Sequence, residues 1–377
     1  MLLTEEQQMI TDMARDFAAN ELQPNSPNWD REHRFPAEAL AKMGELGLMG
    51  MLAPPEYDGA GADSVSYASA LEQIAWGDGS CSTIMSVHNS VGYMPILRYG
   101  TEEQKRRFVP PMARGEMIGA FCLTEPHAGS DASAIRTRAK KSGNKWVLNG
   151  AKQFITSGSN AKVAIVFAVT DPDAGKKGIT AFIAPTETPG YTVASVEKKL
   201  GQNASDTCQI IFEDMELTPD LMLGEEGQGY KIALSNLEGG RIGIGAQAIG
   251  MAQAALDHAV AYAKDRISMG KPIIEHQAVG FRLAEAATKL AAARQLVLHA
   301  AALRDAGKPC LTEASMAKLL ASDTAELVVS DALQTLGGVG YLNDYPIEQI
   351  YRDVRVTRIY EGTSDIQKLV IARSLAA

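Results

Sequence analysis

The sequence predicts an α+β protein, mainly helical, in which an N-terminal helical domain, a middle antiparallel β-domain and a C-terminal four-helix bundle follow one another. Three observations carry this expectation. Apolar spacing is helical up to about residue 115, short runs rich in β-branched and aromatic residues crowd residues 117–217, and helical spacing returns from about residue 228. At 377 residues, 46% of them hydrophobic, the chain exceeds one ordinary domain and can bury a large core. The expected divisions are 1–115, 116–222 and 223–377.

The first helix is marked by Thr4 with Gln7 three residues later, the spacing of a capping box. No signal or transit peptide is expected ahead of it. Pro54-Pro55 and Asp58-Gly59-Ala60-Gly61 mark a loop between helical patterns. In the middle, residues 145–148, 163–169, 179–183 and 208–212 read as strands separated by Gly, Asn, Asp and Pro. Further on, Leu234, Leu237, Ile244, Ala248, Met251, Ala255 and Ala259 share one helical face, as do Val279, Leu283, Ala286, Leu290, Ala293 and Val297. Breaks at Gly270-Lys271-Pro272 and Ala306-Gly307-Lys308-Pro309 separate the long helices of a bundle. The most apolar long stretch, 284–303, contains Glu285, Lys289 and Arg294, so it predicts a buried alanine-rich helix and no membrane span.

Charge and cysteine usage exclude several functions. A net charge of -9 argues against a nucleic-acid surface, although a local basic patch could still serve a phosphorylated ligand. Cys81, Cys122, Cys208 and Cys310 are far apart and form no CxxC pair, which argues against a zinc knuckle or a disulfide framework and favours a reducing cytoplasm. His258, His276 and His299 lack metal-ligand spacing, and no metal is expected. Gly243-Ile-Gly245-Ala-Gln-Ala248 matches a dinucleotide fingerprint, but that motif needs a preceding strand and a tight turn. Here the surroundings read as continuous helix, so the small residues serve close packing.

Two motifs carry chemistry. Tyr360-Glu361-Gly362-Thr363-Ser364 sets one carboxylate among small and hydroxylic residues, just before an apolar C-terminal segment. Upstream lies Phe121-Cys-Leu-Thr-Glu-Pro-His-Ala-Gly-Ser-Asp131, followed by Asn149-Gly-Ala-Lys-Gln-Phe-Ile-Thr156. In this order and at these distances the chain resembles the acyl-CoA dehydrogenase family along essentially its whole length, closest to short-chain and short branched-chain members. The resemblance implies that family's three-domain fold, α,β-dehydrogenation of an acyl-CoA to a trans-2-enoyl-CoA, and FAD as cofactor. Such a reaction needs a base, an electron sink, a polarised carbonyl and exclusion of water. No side chain accepts a hydride, so a cofactor is required.

By the same resemblance, Glu361 is the catalytic base, and its backbone N–H helps to polarise the thioester oxygen. Position 240, where some relatives carry their base, is Gly here. Burial would raise the Glu361 pKa toward neutrality. Phe121, Leu123, Thr124, Gly129, Ser130, Phe154, Ile155 and Thr156 are the implied flavin contacts. Arg266, Gln277, Gln334, Gly337 and Gly338 are further FAD contacts, reaching partly across from a neighbouring subunit, and Thr363, Ser364 and Asp365 complete the set. Met269 stands where relatives usually carry Phe. Ser130, Glu238, Arg241 and Gly362 are the implied substrate contacts, Arg241 toward CoA, with Ser86, His88 and Asn89 lining the acyl pocket. The implied substrate is a straight chain of about four carbons, with isobutyryl- or 2-methylbutyryl-CoA close behind, since one methyl in an apolar pocket is worth only ~1–3 kcal/mol. Glutaryl-CoA ranks lower, because residues 80–91 contain no Arg or Lys. An electron-transferring flavoprotein is the implied partner and a homotetramer, a dimer of dimers, the implied assembly. An acyl-CoA oxidase or a CoA-thioester binder without turnover is the alternative from another class.

Overall fold

Thr4 caps the first helix as its spacing predicts: its hydroxyl accepts from Gln7 N–H while the Gln7 side chain accepts from Thr4 N–H. The computed structural model describes residues 1–376. Its first part is helical: α1 (Glu5–Phe17), α2 (Ser26–Glu32), α3 (Ala37–Glu45), α4 (Ser64–Gly77), α5 (Gly79–Val87), α6 (Met94–Tyr99) and α7 (Glu102–Ala113). The loop predicted around Pro54 to Gly61 separates α3 from α4. Asp63 and Asp78 cap α4 and α5 by accepting from Ser66 and Cys81 N–H, each satisfying a donor that the helix itself leaves free.

Eight strands follow: β1 (Gly119–Cys122), β2 (Arg138–Ser142), β3 (Lys145–Thr156), β4 (Val163–Val169), β5 (Ile179–Pro185), β6 (Tyr191–Val196), β7 (Thr207–Leu217) and β8 (Met222–Leu223). They form one sheet in the order β6-β7-β3-β2-β4-β5-β8, with β1 added beside β4. The ladders are antiparallel except for β1 with β4 and a single β2–β4 contact, which are parallel. The four predicted apolar runs fall within β3, β4, β5 and β7, that of β4 covering the whole strand and each of the others the first part of its strand. Two of the other strands, β2 and β6, escaped the sequence reading for a physical reason. Among the β2 residues only Ala139 is buried, and after the part-buried Tyr191 the β6 side chains face solvent, so neighbouring strands rather than apolar pattern place them.

The last part holds α8 (Gly229–Asp265), a hairpin β9 (Ile267–Ser268) and β10 (Lys271–Pro272), then α9 (Gln277–Asp305), α10 (Leu311–Leu336), α11 (Ile347–Val354) and α12 (Ser364–Leu375). Helices α8, α9 and α10 pack on one another, α12 lies on α10, and α4 joins the bundle against α8 and α9. Along α8 the predicted single face is too narrow. Gly243, Ile244, Gly245, Ala246, Gln247, Ala248, Ile249 and Gly250 are all buried, whereas Leu234 is 44% exposed. A Cβ at Gly250 would stand 2.1 Å from the Glu72 carbonyl oxygen and one at Gly245 2.8 Å from Val297. These glycines therefore let helices approach, and the dinucleotide-like string is helix interior. The α9 stripe of Leu283, Ala286, Leu290, Ala293 and Val297 is buried as predicted, but Ala284, Ala287, Ala291 and Ala292 are exposed, so that helix is buried on one face only. Among the described residues no helix is long and apolar enough to cross a membrane.

Candidate active site

Glu361 occupies the short link between the last turns after α11 and the start of α12, in a left-handed backbone conformation with φ 53°. Gly362 follows at φ 88°, a value open to glycine at no steric cost. Thr363 closes the link by capping α12, its hydroxyl accepting from Ile366 N–H. The turn delivers the Glu361 carboxyl inward. Its Oε2 is buried and has no hydrogen-bond partner among the described residues. Burial drives the carboxyl pKa up to about 7, against the pull of the Lys318 and Arg241 cations. A carboxyl so placed is half-ionised near neutral pH and can take a proton there.

The surroundings come from five helices, α4, α8, α9, α10 and α12. A Cβ at Gly240 of α8 would lie 2.6 Å from Glu361 Oε2, so the absent side chain at 240 is what gives the carboxyl its room. Arg241, one residue on, is part-buried, with Nη1 3.3 Å from the Ser315 hydroxyl and Nε without a partner. Tyr67 of α4 is buried with an unpartnered hydroxyl, and its charge environment includes both Glu361 and Arg304. From α10, Lys318 Nζ donates to the Gly362 carbonyl at 2.5 Å, and from α12 Gln367 Nε2 donates to it at 2.9 Å. Burial pushes the Lys318 pKa down to about 8 even with Glu361 nearby. Glu238 accepts a hydrogen bond from Cys310 Sγ at 3.1 Å. The guanidinium of Arg304 fills the space beside Gly239, where a Cβ would meet its Nη1 at 1.9 Å. Unpartnered buried polar atoms on Glu361, Arg241, Tyr67 and Gln367 thus gather at one locus, as a ligand-lined site requires.

The two β-domain segments are joined side by side. Gln153 N–H donates to the Thr124 carbonyl at 2.9 Å, and Lys152 Nζ donates to the Leu123 carbonyl at 3.1 Å and to Glu125 Oε1 at 2.8 Å. Lys152 and Glu125 form an ion pair that is almost wholly buried, and Glu125 also accepts from Arg136 and Thr137 N–H. Phe121 and Thr124 are part-buried, Gly129 and Ser130 exposed, and Leu123 and Ile155 face the core, leaving their backbone for any contact. Phe154 stands 63% exposed at φ 59°, beside the part-buried Thr156, and the next hydroxyl, Ser157, is buried without a partner. An apolar face bordered by unused hydrogen-bonding groups suits a planar ring with polar edges, so these residues fit a flavin.

Not every predicted residue meets there. Gln334, Gly337 and Gly338 lie at the far end of α10 from Lys318, about 27 Å along the helix axis, and all three are exposed. Arg266 and Gln277, before and after the β9–β10 hairpin, are also exposed, and Met269 at its tip is 92% exposed. Near Glu361, Ser364 is buried while Asp365 points outward toward Lys368. Two expected pocket residues do something else. His88 accepts from Gly119 N–H through Nδ1 and bonds the Met112 carbonyl through Nε2, and Asn89 donates to the Leu48 and Met85 carbonyls while accepting from Met51 N–H. Both side chains are fully buried with their hydrogen-bonding groups engaged, His88 between α7 and β1 and Asn89 between α5 and the chain after α3, so their polar atoms are spent within the fold. Ser86, by contrast, does face the site, since a Cβ at Gly243 would meet its hydroxyl at 2.8 Å and Tyr67 at 3.4 Å.

Sequence reasoning missed Tyr67, Lys318, Gln367 and the Lys152–Glu125 pair. The signal for Lys318 was a lysine at a core position of the small-residue stripe Ala314, Ala317, Ala321 and Ala325. Among the described residues no cluster of His, Cys, Asp or Glu is arranged to hold a metal ion.

Comparison with known proteins matches this architecture throughout. The acyl-CoA dehydrogenase N-terminal, middle and C-terminal domains match residues 4–116, 120–215 and 227–376. The mitochondrial short-chain specific acyl-CoA dehydrogenase of Bos taurus is 50% identical over 373 residues, covering 99% of this chain and 90% of the relative. Butyryl-CoA dehydrogenase from Megasphaera elsdenii superposes with TM-score 0.98 at 41% identity, covering all of both chains. A chain solved in work on the electron transferring flavoprotein of Acidaminococcus fermentans does so with TM-score 0.98 at 46% identity, covering 100% of this chain and 99% of its own. With its three parts matched in order and its whole length shared at such identity, the chain belongs to the acyl-CoA dehydrogenase family, whose members are flavin-dependent oxidoreductases acting on CH–CH bonds.

Proposed function

We propose that this protein removes hydrogen across the α,β bond of a short-chain acyl-CoA, butyryl-CoA before isobutyryl- or 2-methylbutyryl-CoA, giving the trans-2-enoyl-CoA. The observation that carries this reading is the buried, unpartnered Glu361 carboxyl poised near neutral pKa over the side-chain-free Gly240. The short-chain relative and the butyryl-CoA dehydrogenase structure support the choice of chain length. Glu361 takes the α-proton onto its carboxylate, and its own N–H, presented by the left-handed turn, polarises the thioester oxygen. Arg241 and Glu238 lie on the same stretch of α8 and bind toward the CoA arm, with Ser130 and Gly362 as further substrate contacts. Bound FAD would supply the acceptor for the β-hydride. Phe121, Leu123, Thr124, Gly129, Ser130, Phe154, Ile155, Thr156, Thr363, Ser364 and Asp365 would hold it within one chain.

Arg266, Gln277, Gln334, Gly337 and Gly338 belong to this reading through a neighbouring copy. Their exposure at the far end of the bundle supports contact with a partner's FAD, and hence a homotetramer built from dimers. An electron-transferring flavoprotein as acceptor is supported by the solved neighbour studied with one. A cytoplasmic setting is supported by four free, buried cysteines. The divisions 1–115, 116–222 and 223–377 complete the reading.

The test is anaerobic titration of the holoenzyme with butyryl-, isobutyryl-, 2-methylbutyryl- and octanoyl-CoA, following flavin absorbance. Bleaching strongest with butyryl-CoA and abolished in Glu361→Gln is the expected result. No bleaching by any short acyl-CoA, or full bleaching by Glu361→Gln, would overturn it, and peroxide formed in air without a flavoprotein acceptor would mark an oxidase.

A further inference from the structure

Two wholly buried side chains converge on the backbone of the turn that carries Glu361. Lys318 of α10 and Gln367 of α12 both donate to the Gly362 carbonyl, and Gln367 also reaches the Glu361 carbonyl at 3.4 Å. The turn they hold is one that L-residues rarely adopt, with positive φ at both positions. Left without such donors, it would relax toward ordinary backbone and swing the Glu361 carboxyl and N–H together. Gln367 by itself supplies a neutral donor to the Gly362 carbonyl. What lysine adds is a positive charge, carried into the core where an ammonium is costly unless something there uses it.

We infer that Lys318 is a positioning residue for the base, clamping the Glu361–Gly362 turn through the Gly362 carbonyl and holding a positive charge beside the Glu361 carboxyl. This rests on Glu361 being the base. The charged neighbours of both groups are few. Around Lys318 they are Glu361, Arg241 of α8 and Asp323 of its own helix. Around Glu361 they are Lys318 and Arg241, and the phenols of Tyr67 and Tyr360 feel its charge. Burial opposes ionisation of Glu361, and the two cations oppose burial. Their balance leaves enough carboxylate for proton abstraction at neutral pH. Arg241 reaches across to Ser315, whereas Lys318 is tied to the residue directly after the base.

The discriminating experiment uses two variants of the holoenzyme. Lys318→Gln keeps a donor for the Gly362 carbonyl and removes the charge; Lys318→Met removes both. Glu361 is titrated directly through its infrared carboxyl band, assigned by its loss in Glu361→Gln, and the pH dependence of flavin reduction by butyryl-CoA is measured alongside. Both variants should move the Glu361 titration and the acid limb of the rate profile to higher pH by about one unit. Lys318→Met should in addition lose roughly ten- to a hundredfold in the limiting rate at high pH, because the turn is no longer clamped. If Lys318→Met does not fold, Lys318→Gln decides the question through the shift alone. A Glu361 band titrating as in the unmodified protein would overturn the inference. Should Glu361→Gln itself reduce flavin normally, the base assignment fails instead, so the two failures are distinct.

Discussion

The Glu361 carboxyl lies directly against Gly240: a Cβ built on that glycine would stand 2.6 Å from Oε2 and 3.2 Å from Cδ. A residue of α8 and one of the link before α12 thus share one space, and only one of them can carry a side chain there. Gly240→Ala should therefore displace the carboxyl while leaving α8 intact, since alanine favours helix over glycine. The expected result is a loss of roughly a hundredfold in the rate of flavin reduction with unchanged FAD content and equal or higher Tm.

The pH dependence follows from the sign of the Glu361 shift. Its pKa stands near 7 in the folded protein against 4.5 for an ordinary glutamate, chiefly through burial. The reactive form is the carboxylate, so kcat/KM should rise with pH through about 7 and level off above it. Between these two values the native state holds a proton that the unfolded chain has released. The associated stability is therefore present below 4.5 and lost as pH rises through 7. Glu361→Gln should be more stable than the parent above pH 7, by about 3 kcal/mol from the shift between 4.5 and 7, and show no such advantage near pH 4.

Lys152 and Glu125 brace the two segments proposed above to hold the flavin. Burial works against the Glu125 charge, yet the Lys152 ammonium and the Thr137 and Arg136 N–H donors hold its carboxyl below the usual range. Lys152→Met strands that carboxylate without its counter-charge and should cost about 3–5 kcal/mol. Urea denaturation checks the stability, and equilibrium dialysis against FAD should show weaker retention than in the parent protein.

Asp353 offers a separate pH signature away from the base. It is buried, accepts from Gln202 N–H, and is pushed up to about 8 by burial first and then by the Asp30 and Asp78 charges. Gln202 continues through Thr83 to Gln247, which accepts from the hydroxyl of Tyr360. The native state thus keeps a proton on Asp353 from its ordinary 3.8 up to about 8, and stability is lost as pH climbs across that range. Asp353→Asn, which mimics the protonated group, should gain in Tm relative to the parent as pH approaches 9 and not at pH 4.

Much of the fold was legible because its signals are local. The Thr4–Gln7 box, the Gly-Pro breaks around α9 and the apolar runs within β3, β4, β5 and β7 act within a few residues of themselves. The strands β2 and β6 were not legible, because their polar faces carry no pattern and pairing alone makes them strands. His88 and Asn89 looked like pocket residues in the string, yet their donors and acceptors are consumed by Met112, Gly119 and Leu48, none of them adjacent in sequence.

As a linear string, the chain already specified helical, β and helical parts in order and singled out Glu361 through the company it keeps. Folding alone decided what surrounds that carboxyl. Lys318 and Gly362 are 44 positions apart in the chain and Gly240 lies on another helix, so their meeting depends on how α8, α10 and α12 pack. The shift of Glu361 toward neutrality is likewise a property of that packing. Desolvation acts through space, and no neighbour in sequence removes water from a side chain as the helices closing over it do.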